Sequence, residues 1–196
     1  MGGLVGFHRQ RGHMAADVID RIFGLFERHG AAHYGENASQ LQHALQTAAL
    51  AREAGCSDSL IAAALLHDIG QLLGNAGEAA DSHGIDAQHE ATGARYLNDC
   101  FNKEVFEPVR LHVAAKRYLC AIEPDYFAGL SRASVLSLRL QGGPMDHAEV
   151  AAFEAEPFFT DAVTLRRFDD LGKQADWHPA GLETYRALLK TLIAIP

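Results

Sequence analysis

Cysteine is scarce in this chain of 196 residues. Cys56, Cys100 and Cys120 are odd in number, dispersed, and in no C-x-x-C pair. That excludes a disulfide frame and a zinc knuckle and fits reduced thiols of a cytoplasmic protein. No apolar run reaches membrane length, and the start, Met1 to His13, lacks the apolar core of a signal peptide. Basic residues are outnumbered, with 17 Lys and Arg against 25 Asp and Glu and a formal net charge of −8. This excess of acid argues against nucleic acid or an anionic membrane as partner, while leaving room for a small positive pocket. There is no G-x-G-x-x-G between strand and helix and no P-loop, so no NAD, flavin or nucleotide site is indicated. Sustained alternation at strand period is also missing, as are internal repeats, low-complexity tracts and linkers.

What is present is helical. The hydrophobic fraction of 48% and charged fraction of 21% are those of a soluble globular protein. The length suits one domain over residues 15–196, preceded by a flexible leader over 1–14. Val18, Ile19, Ile22, Phe23, Leu25 and Phe26 recur mostly at helical spacing, and Gly30 follows as a stop. Residues 31–38 read as a loop. Ser39 then opens a helix, because Gln42 completes an S-x-x-Q capping box. Ser57 or Asp58 caps the next helix, which runs to His67-Asp68. Residues 74–86 read as a loop, and Asp86 as the cap of a helix through Cys100 in which Gly93 marks close packing. Further helices are expected over 104–121, where Pro108 either kinks the helix or marks its first turn, and from Ser131 to Gln141. Others begin near Asp146 and span 160–171 and 180–193. The fold class is therefore all-α, a bundle of about eight helices with strands absent or marginal.

The chain is organised around residues 60–71, an apolar run that ends in His67-Asp68. An imidazole and a carboxylate at the end of a buried segment call for compensation, and a bound cation is the usual one. Eleven histidines are many for this length. Four more candidate ligands fall on other expected helices: His43, His89, His112 and Asp169. Four imidazoles and two carboxylates suit iron, manganese, zinc or cobalt, and do not suit calcium or magnesium. Asp68 is placed to bridge two metals. His8, His13, His29, His33, His83, His147 and His178 read as surface or hydrogen-bonded core residues. His112 and Lys116 stand four apart and so project from one helix face.

The order His…His-Asp…Asp resembles the ligand order of the HD superfamily of helical metalloproteins. The stretch from Tyr34 to Gln174 resembles one branch of it, the mixed-valence diiron oxygenases that cleave the carbon–phosphorus bond of 1-hydroxyphosphonates. Myo-inositol oxygenase is a more distant relative. The resemblance rests on Gln40-Leu41-Gln42-His43, on residues 62–70 (Ala-Ala-Ala-Leu-Leu-His-Asp-Ile-Gly) and on Gln88-His89-Glu90. Residues 112–119 (His-Val-Ala-Ala-Lys-Arg-Tyr-Leu) and 141–146 (Gln-Gly-Gly-Pro-Met-Asp) are its most distinctive blocks. It implies that His43, His67, Asp68 and Asp169 hold one iron, and that Asp68, His89 and His112 hold the other. It further implies Tyr34 as a ligand that substrate displaces, Glu36 as the partner of a substrate ammonium, and Lys116, Ser134 and Gln141 as phosphonate contacts. Tyr34, Glu36 and Lys116 are thus the expected catalytic residues.

Two departures from the branch stand out. Gln71 occupies the place one turn after His67-Asp68 where the branch often carries a phosphonate-binding histidine, and glutamine donates a hydrogen bond without positive charge. The loop between Tyr34 and His43 is one residue shorter than in the aminoethyl-type enzymes. The implied reaction is O2-dependent cleavage of a 1-hydroxyphosphonate to phosphate and a carboxylate such as glycine or glycine betaine. A metal-dependent HD phosphohydrolase of nucleotides or phosphate monoesters, and a degenerate HD binding module, are the competing readings. Both leave one or more of the six candidate ligands without a role.

Overall fold

A computed structural model of the chain describes residues 2–33, 37–73 and 86–194, with side chains from residue 15 onward. Helix α1 spans Gly2–His29, so the helix expected from residue 15 runs back to Gly2 instead of following a separate leader. Its buried residues Ala15, Ile19, Ile22, Phe23 and Phe26 form one stripe at helical spacing. Helix α2 spans Gln40–Glu53 and opens with the expected capping box, the Ser39 side chain on the Gln42 N–H and the Gln42 side chain on the Ser39 N–H. Helix α3, Asp58–Leu66, is capped by Ser57 and buries every residue from Leu60 to Leu66. A helix apolar on all sides must be enclosed, and α3 is packed by α2, by α6 (Lys103–Ile122), by α9 (Phe159–Leu171) and by α10 (Arg186–Leu192).

Helix α3 stops at Leu66, with His67 as its C-cap, and Asp68 turns the chain into the short helix α4, Ile69–Leu72. Helix α5 is His89–Asn98. It starts later than expected: Gln88 occupies the N-cap with φ 46°, and the Asp86 carboxylate accepts the Gln88 N–H at 3.1 Å. The expected loop over 74–86 lies almost wholly outside the described residues. Gly93 on α5 packs against Gly70 on α4. A methyl group built on Gly70 would lie 2.0 Å from the His89 carbonyl oxygen, so only glycine lets the two helices meet. This contact brings His89 beside His67-Asp68.

Helix α6 carries Pro108 in its interior, one turn before His112, and continues to Ile122. Pro108 therefore marks neither the first turn nor an end. Helices α7 (Arg132–Leu140) and α8 (His147–Glu154) start at Ser131 and Asp146 as expected. The expected last helix over 180–193 is divided into a 3-10 turn, Leu182–Tyr185, and α10. Among the described residues the only strand-like pairing is an isolated bridge between Phe101 and Ile193. One apolar core lies among α1 to α6, α9 and α10, and a second gathers Leu111, Ala115, Tyr118, Leu119, Phe153 and Ala162. His112 falls where α6 passes from the first core to the second.

Candidate metal centre

Four histidines converge between α2, the α3–α4 junction, α5 and α6. His67 and His112 are positioned by the same local device. Their Nδ1 atoms lie 2.9 Å from the Ala64 carbonyl and 2.7 Å from the Val109 carbonyl, each three residues back on its own helix. His43 uses a distant partner, with Nδ1 2.7 Å from the Gly172 carbonyl at the end of α9. Gly172 can lie that close because a methyl there would meet Thr47 Oγ1 at 2.6 Å. A carbonyl only accepts, so each of these three Nδ1 atoms carries a proton and each Nε2 is the nitrogen turned to the centre.

The Nε2 atoms of the four histidines face one another in pairs. His43 Nε2 and His67 Nε2 are 3.0 Å apart, and His89 Nε2 and His112 Nε2 are 3.2 Å apart. Two unprotonated nitrogens repel at such distances unless a proton or a metal ion lies between them. His43, His67 and Asp169 form one candidate metal-binding triad, and Asp68, His89 and His112 form the other. Asp68 spans both: Oδ2 is 3.7 Å from His43 Nε2 and 3.6 Å from His67 Nε2, while Oδ1 is 3.2 Å from His89 Nε2 and 3.7 Å from His112 Nε2. Asp169 Oδ1 closes the first triad, 3.3 Å from His43 Nε2. Donors held around a first-row metal by bonds of about 2.0–2.2 Å stand roughly 3–3.6 Å apart. The six side chains therefore fit a pair of ions sharing one carboxylate.

Electrostatics point the same way. Burial would raise both carboxyls, but His67 and His89 hold Asp68 well below the usual carboxylate range. Burial would likewise raise Asp169, and Arg166 with Lys173 holds it well below. Burial lowers His67, and it lowers His112 to about 3, helped by the neighbouring His89 and His67. His43 is also buried and His89 half-buried, and desolvation would lower both, yet Asp169 and Asp68 respectively raise them. Each triad thus draws positive charge to one imidazole, which is the demand a metal ion would meet.

The HD domain model matches residues 41–149, more than half of the chain. The chain belongs to the HD-domain family. The matched segment holds His43, His67, Asp68, His89 and His112, and Asp169 lies beyond it. Relatives with assigned activities narrow the branch. A hydroxymethylphosphonate dioxygenase from Gimesia maris is 45% identical over 177 residues, covering 89% of this chain and 88% of that protein. The glycine-betaine-forming [1-hydroxy-2-(trimethylamino)ethyl]phosphonate dioxygenase from Leisingera caerulea is 43% identical over 169 residues, covering 83% and 86%. An uncharacterised protein of Acanthamoeba polyphaga mimivirus is 37% identical over 175 residues, covering 87% and 80%. The all-α architecture expected from the sequence is that of the HD domain.

One side of the HD-domain centre is walled by cations, Lys116 and Arg166 buried and Lys173 half-buried. Lys116 is 3% exposed, and its Nζ donates to Ser137 Oγ at 2.8 Å. Burial, with Arg166 and Lys173 nearby, lowers it to about 7. Arg166 donates to Asp169 Oδ2 at 2.6 Å, to the Tyr126 hydroxyl at 3.0 Å and to the Asp170 carboxylate. Lys173 Nζ lies 3.4 Å from Asp169 Oδ1, and Ser134 Oγ accepts from Lys173 at 3.1 Å and from Arg166 at 3.4 Å. Lys116 and Ser134, two of the residues that the sequence offers as phosphonate contacts, thus both lie beside Arg166 and Lys173. Gln141 caps the end of α7, and its buried Oε1 has no hydrogen-bond partner among the described residues. Gln71 is half-buried on α4, with its backbone N–H on the Asp68 carbonyl at 2.9 Å. Tyr34 and Glu36 lie outside the described residues.

Sequence reasoning missed Arg166, Lys173, Asp170 and Tyr126. A signal was available for the first three: Arg166, Asp169, Asp170 and Lys173 follow at i, i+3, i+4 and i+7, one face of a helix or of its continuation. Among the described residues no helix is long and apolar enough to cross a membrane, and Cys56, Cys100 and Cys120 carry free thiols.

Proposed function

We propose that this HD-domain chain is an iron-dependent dioxygenase that cleaves the carbon–phosphorus bond of a 1-hydroxyphosphonate. The observation that carries the proposal is the Asp68 carboxylate spanning two imidazole-rich triads beside a cationic wall of buried Lys116 and Arg166 and half-buried Lys173. Both dioxygenase relatives support the reaction class. His43, His67, Asp68 and Asp169 would hold one iron, and Asp68, His89 and His112 the other. The second set offers fewer protein ligands, so it leaves positions for substrate and O2. A mixed-valence ferrous–ferric pair would supply the redox chemistry with O2 when bound.

The chain's own residues then bind, orient and exclude water. Asp68, Asp169, Asp170 and Glu90 outnumber Arg166, Lys116 and Lys173 by a single charge before any metal is counted, far less than two iron ions bring. The charge of two iron ions is thus left for an anionic substrate to offset, and a phosphonate dianion does so. Lys116 donates to the phosphonate, with Ser134 and Gln141 offering further polar atoms on the same side. Arg166 holds Asp169 Oδ2, which keeps Oδ1 turned toward His43. Gln71 contributes a neutral hydrogen bond, so recognition of the anion rests more on the cationic wall. Tyr34 is proposed as the ligand that substrate displaces, and Glu36 as the partner of a substrate ammonium group. By atom count, the hydroxyphosphonate and O2 give a carboxylic acid and phosphate with nothing left over: glycine from the 2-amino compound, glycine betaine from its trimethylammonium analogue.

The test is phosphate release by iron-loaded protein from hydroxymethyl-, 2-amino-1-hydroxyethyl- and 1-hydroxy-2-(trimethylamino)ethylphosphonate, with and without O2. Release that requires O2 is the expected result, and the fastest substrate fixes the group beyond carbon 1. Release without O2, or only from phosphate monoesters, overturns the proposal in favour of a phosphohydrolase.

A further inference from the structure

The four histidines of the centre differ in what holds the nitrogen that faces away from it. For His43, His67 and His112 that partner is a neutral backbone carbonyl at 2.7–2.9 Å. His89 has instead a carboxylate: Glu90 Oε2 lies 3.7 Å from His89 Nδ1. That same Oε2 atom is buried and has no hydrogen-bond partner among the described residues. A buried carboxylate oxygen without a donor is costly, and the ring N–H of His89 is close enough to satisfy it after a shift of less than about 1 Å. The backbone contributes as well. Gln88 is the one non-glycine residue with positive φ among those described, at 46°, and it immediately precedes His89. Glutamine rarely adopts this conformation, so the entry to α5 is fixed at the point that aims the His89 ring.

We propose that Glu90 is a positioning residue for the second metal: its carboxylate takes the Nδ1–H of His89, locks Nε2 toward Asp68 and His112, and makes that imidazole the most electron-rich of the four. The inference rests on the reading that Asp68, His89 and His112 hold a metal ion. A carboxylate behind a metal-bound imidazole fixes its tautomer and raises its basicity, and loss of such a partner typically weakens metal binding about 10–100-fold. The consequence is an asymmetric pair. The ion with fewer protein ligands receives the stronger imidazole donor, which offsets its smaller ligand set and favours its higher-charged state.

Anaerobic titration of the metal-free full-length chain with Fe(II) tests this in wild type, Glu90→Gln and Glu90→Ala, with circular dichroism as the check on folding. Wild type should bind two ions per chain in two phases. Glu90→Ala should weaken one phase about 10–100-fold and leave the other unchanged, and His112→Ala should abolish the phase that Glu90→Ala weakens. Glu90→Gln, which keeps an accepting oxygen and the shape of the side chain, should fall between Glu90→Ala and wild type. It keeps the test open should Glu90→Ala fail to fold. Two wild-type phases in folded Glu90→Gln, or equal weakening of both, would overturn the role of Glu90 while leaving the dinuclear centre intact. A wild-type chain that binds fewer than two ions would overturn the dinuclear reading and this inference with it.

Discussion

Gly70→Ala adds one methyl group at the crossing of α4 and α5, and its effect can be worked from the structure. The new carbon would lie 2.0 Å from the His89 carbonyl oxygen, 2.8 Å from the His89 carbonyl carbon and 2.8 Å from the Gly93 nitrogen. Non-bonded atoms of this kind need about 3 Å or more, so α5 must retreat by about 1 Å. All three obstacles are backbone atoms, and no side-chain rotation relieves them. Overpacking of this sort costs about 1–3 kcal/mol, and the upper end applies here. For a domain of this size each kcal/mol lowers the melting temperature by about 2–4 °C, giving a fall of roughly 6–12 °C. The same retreat would open the 3.2 Å separation of His89 Nε2 and Asp68 Oδ1 well beyond the tolerance of about 0.5 Å that a preorganised site allows. Thermal unfolding followed by circular dichroism, with metal analysis after dialysis, reads both effects: a lower melting temperature and one ion per chain in place of two. Gly93→Ala is the internal control, because its methyl would meet Gly70 N at 3.1 Å and Ile69 Cγ2 at 3.3 Å and needs only tenths of an ångström. A Gly70→Ala chain with wild-type stability and two ions, or a Gly93→Ala chain that is worse, would overturn this account of the crossing.

Asp68→Asn keeps the shape of the side chain but leaves only one oxygen to serve two triads, so metal analysis should find no more than one ion held per chain; two tightly held ions would show that Asp68 does not bridge. Lys116 is lowered to about 7 and is therefore charged below that pH and neutral above it. The apparent substrate affinity should fall as pH rises through about 7, whereas Lys116→Arg, charged at every accessible pH, should be flatter over the same range. Substrate ionisation is common to both enzymes, so superimposable pH profiles of KM would remove Lys116 from anion binding. Arg166→Leu strips Asp169 and Asp170 of their buried counter-charge and should destabilise the chain by about 3–5 kcal/mol in urea unfolding; a change below about 1 kcal/mol would mean that the two carboxylates find other compensation.

Much of the fold is legible in the amino-acid sequence. The cap at Ser39, the cap at Asp146 and the all-apolar run of α3 are local signals, and the structure follows them because capping and burial are decided within a few residues. Two readings of local signals failed. Gln88, not Asp86, is the N-cap of α5, because a left-handed residue ahead of His89 overrides the usual capping preference. Residues 2–14 extend α1, which composition alone had not marked as helical.

The candidate centre divides along the same line. Donor types and half of their positioning follow from the chain's local order: His67 and His112 are oriented by carbonyls three residues back on their own helices, a contact that helical geometry supplies wherever the helix forms. The candidate bridging acid follows from the His67-Asp68 dipeptide at the end of a buried helix. The rest depends on long-range packing. His43 is held by Gly172 from across the bundle, and His89 reaches Asp68 because Gly70 lets the backbones of α4 and α5 touch. The cationic wall arises where α6 and α9 bury Lys116 against Ser137 and Arg166 against Ser134, both on α7. Periodicity reports which face of a helix is buried. Which buried face meets which, and at what distance two imidazole nitrogens come to oppose each other, is set by the packing of the whole bundle.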